Sequence, residues 1–320
     1  MKEQSLFGIL LLCLWGTSLG DDGSRSERGR VRIGDFSVPD YPINVTVTAT
    51  DPPYCAIALA PFSCSLRHAD CVTFVGREDK GLGEEGCASY DELGRKGLHF
   101  FRMLVGNAQS MPPLIVDVGA NIGSHSNYAA ALGARVIAIE PHPFHARRLF
   151  HMAHLNDWNL QVFSGGAHDF DGTGVIHILK GGHLVMRKVE EVGEPNLTTV
   201  RTINIELTRI DTLVGNDEMV VFLKIDTDGH ELQALRGATR LFEEERVKYM
   251  KIEFVPYALE MGNAGSPTAA MDLLTMLDQH EGEFFCVHDL RPLRREAFES
   301  FVERYKYKSS FLVMPRSNLT

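Results

Sequence analysis

Two acidic residues that end apolar, strand-like runs are well placed to do chemistry. Asp226 closes the run MVVFLKID, and Glu253 lies near the end of the next run, VKYMKIEFVP. If the runs are neighbouring parallel strands, both carboxylates lie at one edge of a sheet. A carboxylate with a raised pKa could take the proton of a substrate hydroxyl. The same pair could instead hold a divalent cation that acidifies the hydroxyl, and the sequence leaves both possibilities open.

A glycine-containing turn, DVGANIG, runs from Asp117 to Gly123 between an apolar run and a helical segment. Gly119 suits a tight turn, and Gly123 would let a ligand approach the N-terminus of the helix. The dinucleotide fingerprint G-x-G-x-x-G needs glycine where this chain has Asn121 and Ser124. The missing second glycine is the one that makes room for a pyrophosphate, so the turn suits a cofactor without phosphate.

Glu140 ends the run RVIAIEP, about 20 residues beyond this turn. A carboxylate at that place accepts hydrogen bonds from the two hydroxyls of a cofactor ribose. A nicotinamide-dependent oxidoreductase would use the same residue, but Asn121 and Ser124 argue against that class. In the later segment LKIDTDGHELQALRGA, Asp228 and Glu231 have the spacing of a capping box, and a chemical role for them stays open. His230 is expected to face solvent in the first helical turn, and contact with the substrate is the alternative.

Strand and helix patterns alternate from Leu114 onward. The strand patterns are LIVDVG, RVIAIEP, LQVFSGGA, MVVFLKID, VKYMKIEFVP, EFFCVHDL and SSFLVMP, with GVIHILK and VRTINIEL as added strands or a hairpin. The helical patterns are SHSNYAAALG, Pro143 to Leu155, HELQALRGATRLF and Pro267 to His280. This alternation predicts a parallel sheet with helices on both faces, which binds ligands beyond the carboxyl ends of its strands.

The N-terminal part predicts export. One lysine precedes the apolar stretch Leu6 to Trp15, with small residues at Ser18 and Gly20, so residues 1–20 are interpreted as a signal peptide. The stretch is short for a bilayer span, and an uncleaved membrane anchor is the alternative. Residues 21–50 are a polar linker, residues 51–110 a cysteine-containing region ending in a helix, and residues 111–320 the main domain.

The cysteines and sequons agree with export. Four clustered cysteines predict two disulfides of open connectivity: Cys55, Cys64, Cys71 and Cys87. Cys286 lies in an apolar run and is expected to be a buried free thiol. Three sequons predict glycosylation, at Asn44, Asn196 and Asn318. The net charge of -10 and the lack of a dense basic run argue against a nucleic-acid partner.

Five motifs, in order, resemble the FkbM family of methyltransferases over about residues 113–256: DVGANIGSHS, AIEPHP, GAHDFDG, LKIDTDGHELQALRGA and KIEF. The resemblance implies an α/β, Rossmann-like methyltransferase fold, with a mostly parallel doubly wound sheet and an antiparallel last strand. It also implies S-adenosylmethionine as cofactor and O-methylation of a hydroxyl on a sugar or other small molecule. The residues implied at the cofactor site are Asp117, Gly119, Asn121, Gly123 and Glu140. Asp169 is implied near the adenine, or in the turn before Gly172.

The sequence departs from the family at one place, because the family commonly has Glu where this chain has Asp228. That departure leaves a second hypothesis open, a non-catalytic secreted binding module that retains the fold. The acceptor expected for the enzyme is a glycan or small molecule of the secretory pathway or outside the cell.

Overall fold

The computed structural model describes residues 58–59, 72–73, 111–179, 184–188, 199–280, 284–286, 292–307 and 310–315. The predicted signal peptide, linker, sequons and clustered cysteines lie outside these residues, as does the helix predicted before residue 110. The described part of the cysteine-containing region is an antiparallel pair, β1 (Ala58–Leu59) and β2 (Val72–Thr73). Within the described ranges, no helix has the length and apolarity needed to cross a membrane.

The main domain contains two sheets. Its strands in chain order are β3 (Leu114–Val118), β4 (Arg135–Ile139), β5 (Leu160–Phe163), β6 (Gly165–Ala167), β7 (Gly172–Leu179), β8 (Leu184–Lys188), β9 (Thr199–Thr208), β10 (Val220–Ile225), β11 (Val247–Phe254), β12 (Phe285–Cys286) and β13 (Ser310–Pro315).

The seven-stranded sheet has the order β12-β13-β11-β10-β3-β4-β5. Strands β11, β10, β3, β4 and β5 are parallel, and β13 is antiparallel to both of its neighbours. This confirms the predicted mostly parallel sheet with an antiparallel last strand. The chain leaves β3 toward β4 and returns on the other side with β10. The strand order therefore switches between β3 and β10, where ligands bind in sheets of this type.

Helices surround this sheet. They are α1 (Ser124–Ala131), α2 (Pro143–Leu155), α3 (Ile210–Leu213), α4 (Glu231–Arg236), α5 (Thr239–Glu243), α6 (Pro256–Gly262), α7 (Ala269–Gln279) and α8 (Phe298–Tyr305), with a 3-10 turn at Arg295–Ala297. All five residues of β3 are buried, as are four of five in β4. Burial on both faces is the reason these strands read as continuous apolar runs instead of alternating ones.

Two sequence predictions of element boundaries were wrong. HELQALRGATRLF forms two helices, α4 and α5, because the chain turns at Gly237 and packs there against the carbonyl oxygen of His168, 2.1 Å from where a Cβ would lie. LQVFSGGA is not one strand: its first half is β5 in the large sheet and its second half is β6 in the smaller sheet.

The smaller sheet has the order β6-β9-β7-β8. Strand β7 is antiparallel to both β8 and β9, which accounts for the two extra strand patterns seen in the sequence. Cys286, in β12 of the large sheet, is buried and free, as predicted, with its Sγ 3.5 Å from the hydroxyl oxygen of Tyr305.

Candidate active site

The turn after β3 is held by β4 and by the residue that follows β10. Gly119, Asn121 and Gly123 have φ values of +72°, +53° and +93°. The amide of Gly119 donates to the carbonyl oxygen of Ile139 at 2.9 Å. A Cβ on Gly119 would lie 1.8 Å from the backbone oxygen of Asp226. Glycine is therefore required both by the positive φ and by the close approach of the two strand ends.

Gly123 has a different role from the one expected from the sequence. A Cβ there would lie 2.4 Å from Leu149 Cδ2 and 2.7 Å from Asn127 Nδ2. The space beside this glycine is filled by the protein's own side chains, so internal packing accounts for it without a ligand.

Glu140 is buried at the end of β4 and ties two turns together. Its Oε2 accepts a hydrogen bond from the amide of Asn121 at 2.7 Å, and its Oε1 accepts one from the amide of His142 at 2.8 Å. Each carboxylate oxygen has two lone pairs, so each keeps one for a further donor. The sequence suggested only contact with a cofactor, whereas the structure adds that Glu140 fixes the glycine-containing turn.

Asp117 forms a buried ion pair with Lys224. Its Oδ2 accepts hydrogen bonds from the amide and hydroxyl of Ser126, at 3.1 and 2.6 Å. Its Oδ1 is 3.1 Å from Lys224 Nζ, and both side chains are almost fully buried. Burial alone would raise the pKa of Asp117, but Lys224 and the hydrogen bonds outweigh it and hold that pKa below its ordinary value. Asp117 therefore anchors α1 to the sheet and has little access to a ligand.

Lys224 extends this pair to Asp226. Its Nζ is 3.5 Å from Asp226 Oδ2 and donates a hydrogen bond to the carbonyl oxygen of Gly119 at 3.1 Å. Burial alone would lower the pKa of Lys224, but the carboxylates of Asp117 and Asp226 hold it above its ordinary value. The Asp226 side chain is 32% exposed, whereas that of Lys224 is 4% exposed. Lys224 is thus a buried cation that holds a partly exposed carboxylate at the sheet edge.

The strand register brings the two sequence-predicted acids together. Ile225 of β10 pairs with Ile252 of β11, so Asp226 and Glu253 follow this pair at the same edge and on the same face of the sheet. Gly119 belongs to that edge as well, because it packs on the backbone of Asp226. The structure therefore places the two acids beside the glycine-containing turn.

Sequence reasoning missed two basic residues near this edge, Lys251 on β11 and His125 on α1. Lys251 pairs with Lys224 across β10 and β11. Burial first, and then the charges of Lys224 and Lys251, lower the pKa of His125 on α1 to about 3, so this histidine is neutral at pH 7. A signal was available: each acid at a strand end is preceded two residues earlier by a lysine, in KID and in KIE, and a period of two puts both on one face.

The lysines of these strands bear on the alternative in which Asp226 and Glu253 hold a divalent cation. Lys224 lies one pleat below Asp226, where its charge opposes a bound divalent ion. In the described part of the chain, no group of three His, Cys, Asp or Glu residues could hold a metal. These residues therefore give no support to the divalent-cation alternative.

The loop after Asp226 differs from the predicted capping box. Helix α4 begins after His230, so the N-cap position is occupied by His230 and not by Asp228. Glu231 instead reaches back, and its Oε1 accepts hydrogen bonds from the amide of Thr227 at 2.7 Å and the amide of Gly229 at 3.2 Å. The positive φ of Asp228, +53°, bends the chain so that the side chain of Glu231 reaches the loop.

His230 is buried and not solvent-facing, so that prediction was also wrong. Its Nε2 accepts a hydrogen bond from the amide of Met186 in β8 at 2.8 Å. This contact fastens the smaller sheet to the loop beside the acids. The sequence did not reveal it because the two residues are far apart in the chain.

Asp169 follows β6, and its Oδ1 lies 2.6 Å from Nδ1 of the buried His168. The turn before Gly172 is organised mainly by Asp171, which accepts hydrogen bonds from Thr208, Arg209 and Thr212. The hydrogen bond from the Arg209 amide contributes most to lowering the pKa of Asp171 to about 2. A place for Asp169 near an adenine stays a prediction.

We expect Glu231 to make the stability of this domain depend on pH. Burial, partly offset by the hydrogen bonds from Thr227 and Gly229, raises its pKa to about 7. Because the folded pKa lies above the unfolded value of about 4.3, the folded state loses stability as pH rises from about 4.5 to 7. Glu231→Gln keeps an oxygen that accepts hydrogen bonds from the loop, and it cannot ionise. The variant therefore should not lose stability as the pH rises. The variant should gain up to about 3 kcal/mol relative to the wild type between pH 5 and pH 8.

Urea unfolding at a series of pH values checks this expectation. The control is Glu243→Gln, because Glu243 is exposed on α5. Equal pH dependence in the wild type and Glu231→Gln would contradict the buried carboxyl described above.

The sheet order, the glycine-containing turn and the acids at its edge define a Rossmann-like methyltransferase domain. The Methyltransferase FkbM domain profile matches residues 117–282, more than half of the chain. The chain belongs to the FkbM family of S-adenosylmethionine-dependent methyltransferases. A sequence search of curated proteins gave no match.

Several solved methyltransferase structures are similar to this chain. An rRNA methylase from Streptococcus thermophilus is 12% identical over 69% of this chain and 96% of its own, with a TM-score of 0.36. An O-methyltransferase from Bacillus cereus in complex with SAH is 12% identical over 69% and 81%, with a TM-score of 0.36. Magnesium protoporphyrin IX methyltransferase from Synechocystis PCC 6803 with bound SAM is 15% identical over 70% and 79%, with a TM-score of 0.33. Sequence identities and TM-scores this low carry no information about the methyl acceptor of this chain.

Proposed function

We propose that this chain transfers the methyl group of S-adenosylmethionine to a hydroxyl of a sugar or other small molecule. The observation that carries the proposal is the juxtaposition of Asp226 and Glu253 beside the turn at Gly119. A hydroxyl donates its proton to an acceptor, and ionised carboxylates are acceptors only. Two carboxylates at one edge therefore suit an acceptor rich in hydroxyl groups.

The residues at this edge also fit the cofactor. Glu140 keeps one lone pair on each oxygen after binding the amides of Asn121 and His142, which suits the two hydroxyls of a ribose. Asp226 is partly exposed and acidic, which suits the positive charge of a sulfonium. When bound, S-adenosylmethionine supplies an activated methyl group.

The chain's own residues then bind and orient the acceptor. Lys224 holds Asp226 in place from below, while Glu231 and His230 fix the loop that follows it. A fixed geometry favours in-line approach of the hydroxyl oxygen, because reaction rates depend steeply on orientation. The export signals in the sequence support a proposed acceptor in the secretory pathway or outside the cell.

The first test is a calorimetric titration of the full chain, produced through a secretory pathway, with S-adenosylhomocysteine and separately with NAD. We expect saturable binding of S-adenosylhomocysteine only. Glu140→Ala should weaken it at least about tenfold, because it removes a ribose acceptor and leaves two amides unpaired. Glu243→Ala, an exposed acid away from the site, should bind as the wild type does.

The second part measures transfer of a labelled methyl group to a panel of sugars and hydroxylated small molecules. Asp226→Asn and Glu253→Gln should lower turnover and leave the affinity for S-adenosylhomocysteine unchanged. Unchanged turnover in both variants would remove the proposed acceptor role. No binding of either ligand to the wild type would favour the non-catalytic binding module instead.

A further inference from the structure

Lys251 occupies an unusual position among the charged groups of the sheet. It lies on the same face as Lys224, Asp226 and Glu253, and it pairs in register with Lys224. Neighbouring strands are about 4.8 Å apart, so the ammonium groups of two residues paired across them repel each other. Lys224 has Asp117 and Asp226 as ion-pair partners. Within the described residues, Lys251 has no such ion pair, and it is only partly exposed.

The side chain of Lys251 extends toward the carboxyl edge of the sheet. Its Nζ lies 3.8 Å from the centroid of the Phe311 ring. Phe311 pairs with Glu253, whereas Lys251 itself pairs with Val313. The nitrogen therefore reaches from its own position on β11 toward the ring of Phe311, the residue whose backbone pairs with Glu253. Lys251 is thus an amine on the acceptor side that opens the KIEF motif and to which the sequence analysis gave no role.

Its surroundings lower the pKa of the Lys251 amine. Burial first, and then the charge of Lys224, lower the pKa of Lys251 to about 8, while Asp226, Asp117 and Glu253 oppose this shift. The facing groups on the packed elements are His125 of α1, which is neutral at pH 7, and the uncharged Phe311 of β13. With this pKa, about one tenth of the Lys251 side chain is unprotonated at pH 7 and about half at pH 8.

We propose that Lys251 is the general base that accepts the proton of the acceptor hydroxyl. In the step, the hydroxyl oxygen forms a bond to the methyl carbon as the bond between that carbon and sulfur breaks. The neutral amine of Lys251 takes the hydroxyl proton and becomes an ammonium, and the sulfonium charge is lost as sulfur becomes a thioether. Asp226 and Glu253 then act mainly by binding and orienting the hydroxyl. This inference rests on the proposed function.

A general base is most efficient when its pKa lies near the working pH, and this favours Lys251 over a carboxylate of ordinary pKa. The rate should rise with pH through about 8 and then level off, as the amine loses its proton. General-base catalysis contributes about 10²- to 10⁴-fold to a rate, so losing it should lower turnover by that factor.

The experiment compares Lys251→Arg and Lys251→Met with the wild type. Arginine keeps the positive charge and cannot be deprotonated, so it separates a base from a charge that only attracts substrate. We expect both variants to lose turnover about 10²-fold or more and to lose the rise with pH. Both should keep the affinity for S-adenosylhomocysteine and the urea midpoint. Lys248→Arg, on the same strand, is the matched control and should have wild-type turnover.

A second measurement does not depend on activity. Acetic anhydride labelling of the full chain at a series of pH values, followed by mass spectrometry, gives the pH at which Lys251 is half-reactive. We expect a midpoint near pH 8. A midpoint near 10.4, the value for a free lysine, would overturn the proposal. So would near wild-type turnover in Lys251→Arg. Failure of the wild type to bind S-adenosylhomocysteine would instead overturn the proposed function itself.

Discussion

Gly119→Ala is expected to abolish binding of S-adenosylhomocysteine and to destabilise the domain by about 3 kcal/mol or more. The new Cβ would lie 1.8 Å from the backbone oxygen of Asp226. Neither group is the end of a flexible side chain, so β3 and β10 must separate at their carboxyl ends. That separation would displace both the turn and the acid at the centre of the site.

Gly133→Ala is the matched control for this substitution. Gly133 also has a positive φ, +93°, but nothing lies within 4 Å of the position of its Cβ. It should show only the cost of the backbone conformation, about 1 kcal/mol, with unchanged ligand affinity. Thermal unfolding and calorimetry measure both effects. Equal behaviour of the two variants would mean that the contact between Gly119 and Asp226 does not matter.

Lys224→Met should have the second large effect, a loss of about 3–5 kcal/mol in the free energy of unfolding. It leaves the carboxylate of Asp117 buried without its lysine, although the hydrogen bonds from Ser126 remain. It also releases Asp226, so turnover should fall as well as stability. The more exposed pair of Arg135 and Glu218 provides the comparison, and Glu218→Gln should cost at most about 1 kcal/mol.

A double-mutant cycle separates the loss of the pair from the loss of the lysine. Asp117→Asn combined with Lys224→Met removes both charges, so the double variant should be more stable than Lys224→Met alone. Urea unfolding of the four proteins measures the coupling. Additive losses in the double variant would show that the two side chains do not form the buried pair described above.

Patterns in the amino-acid sequence were sufficient to predict the class of fold and the edge of the sheet at which the site lies. Alternating strand and helix patterns fix a parallel sheet, because apolar runs of strand length must be covered on both faces by the helices between them. Acids and glycines at the ends of runs then fall at one edge, because the carboxyl ends of parallel strands meet there. Asp226 and Glu253 could be found in this way without coordinates.

The contacts that support these residues could not be predicted from the sequence. The contact of Gly119 with the backbone of Asp226, and that of His230 with Met186, join segments that are distant in the chain. Such contacts depend on which strands become neighbours, and hydrophobic periodicity indicates strands and helices without specifying that order. The charges of Lys224 and Lys251 likewise depend on which strands are neighbours, because an electrostatic interaction follows distance in space and not separation in sequence.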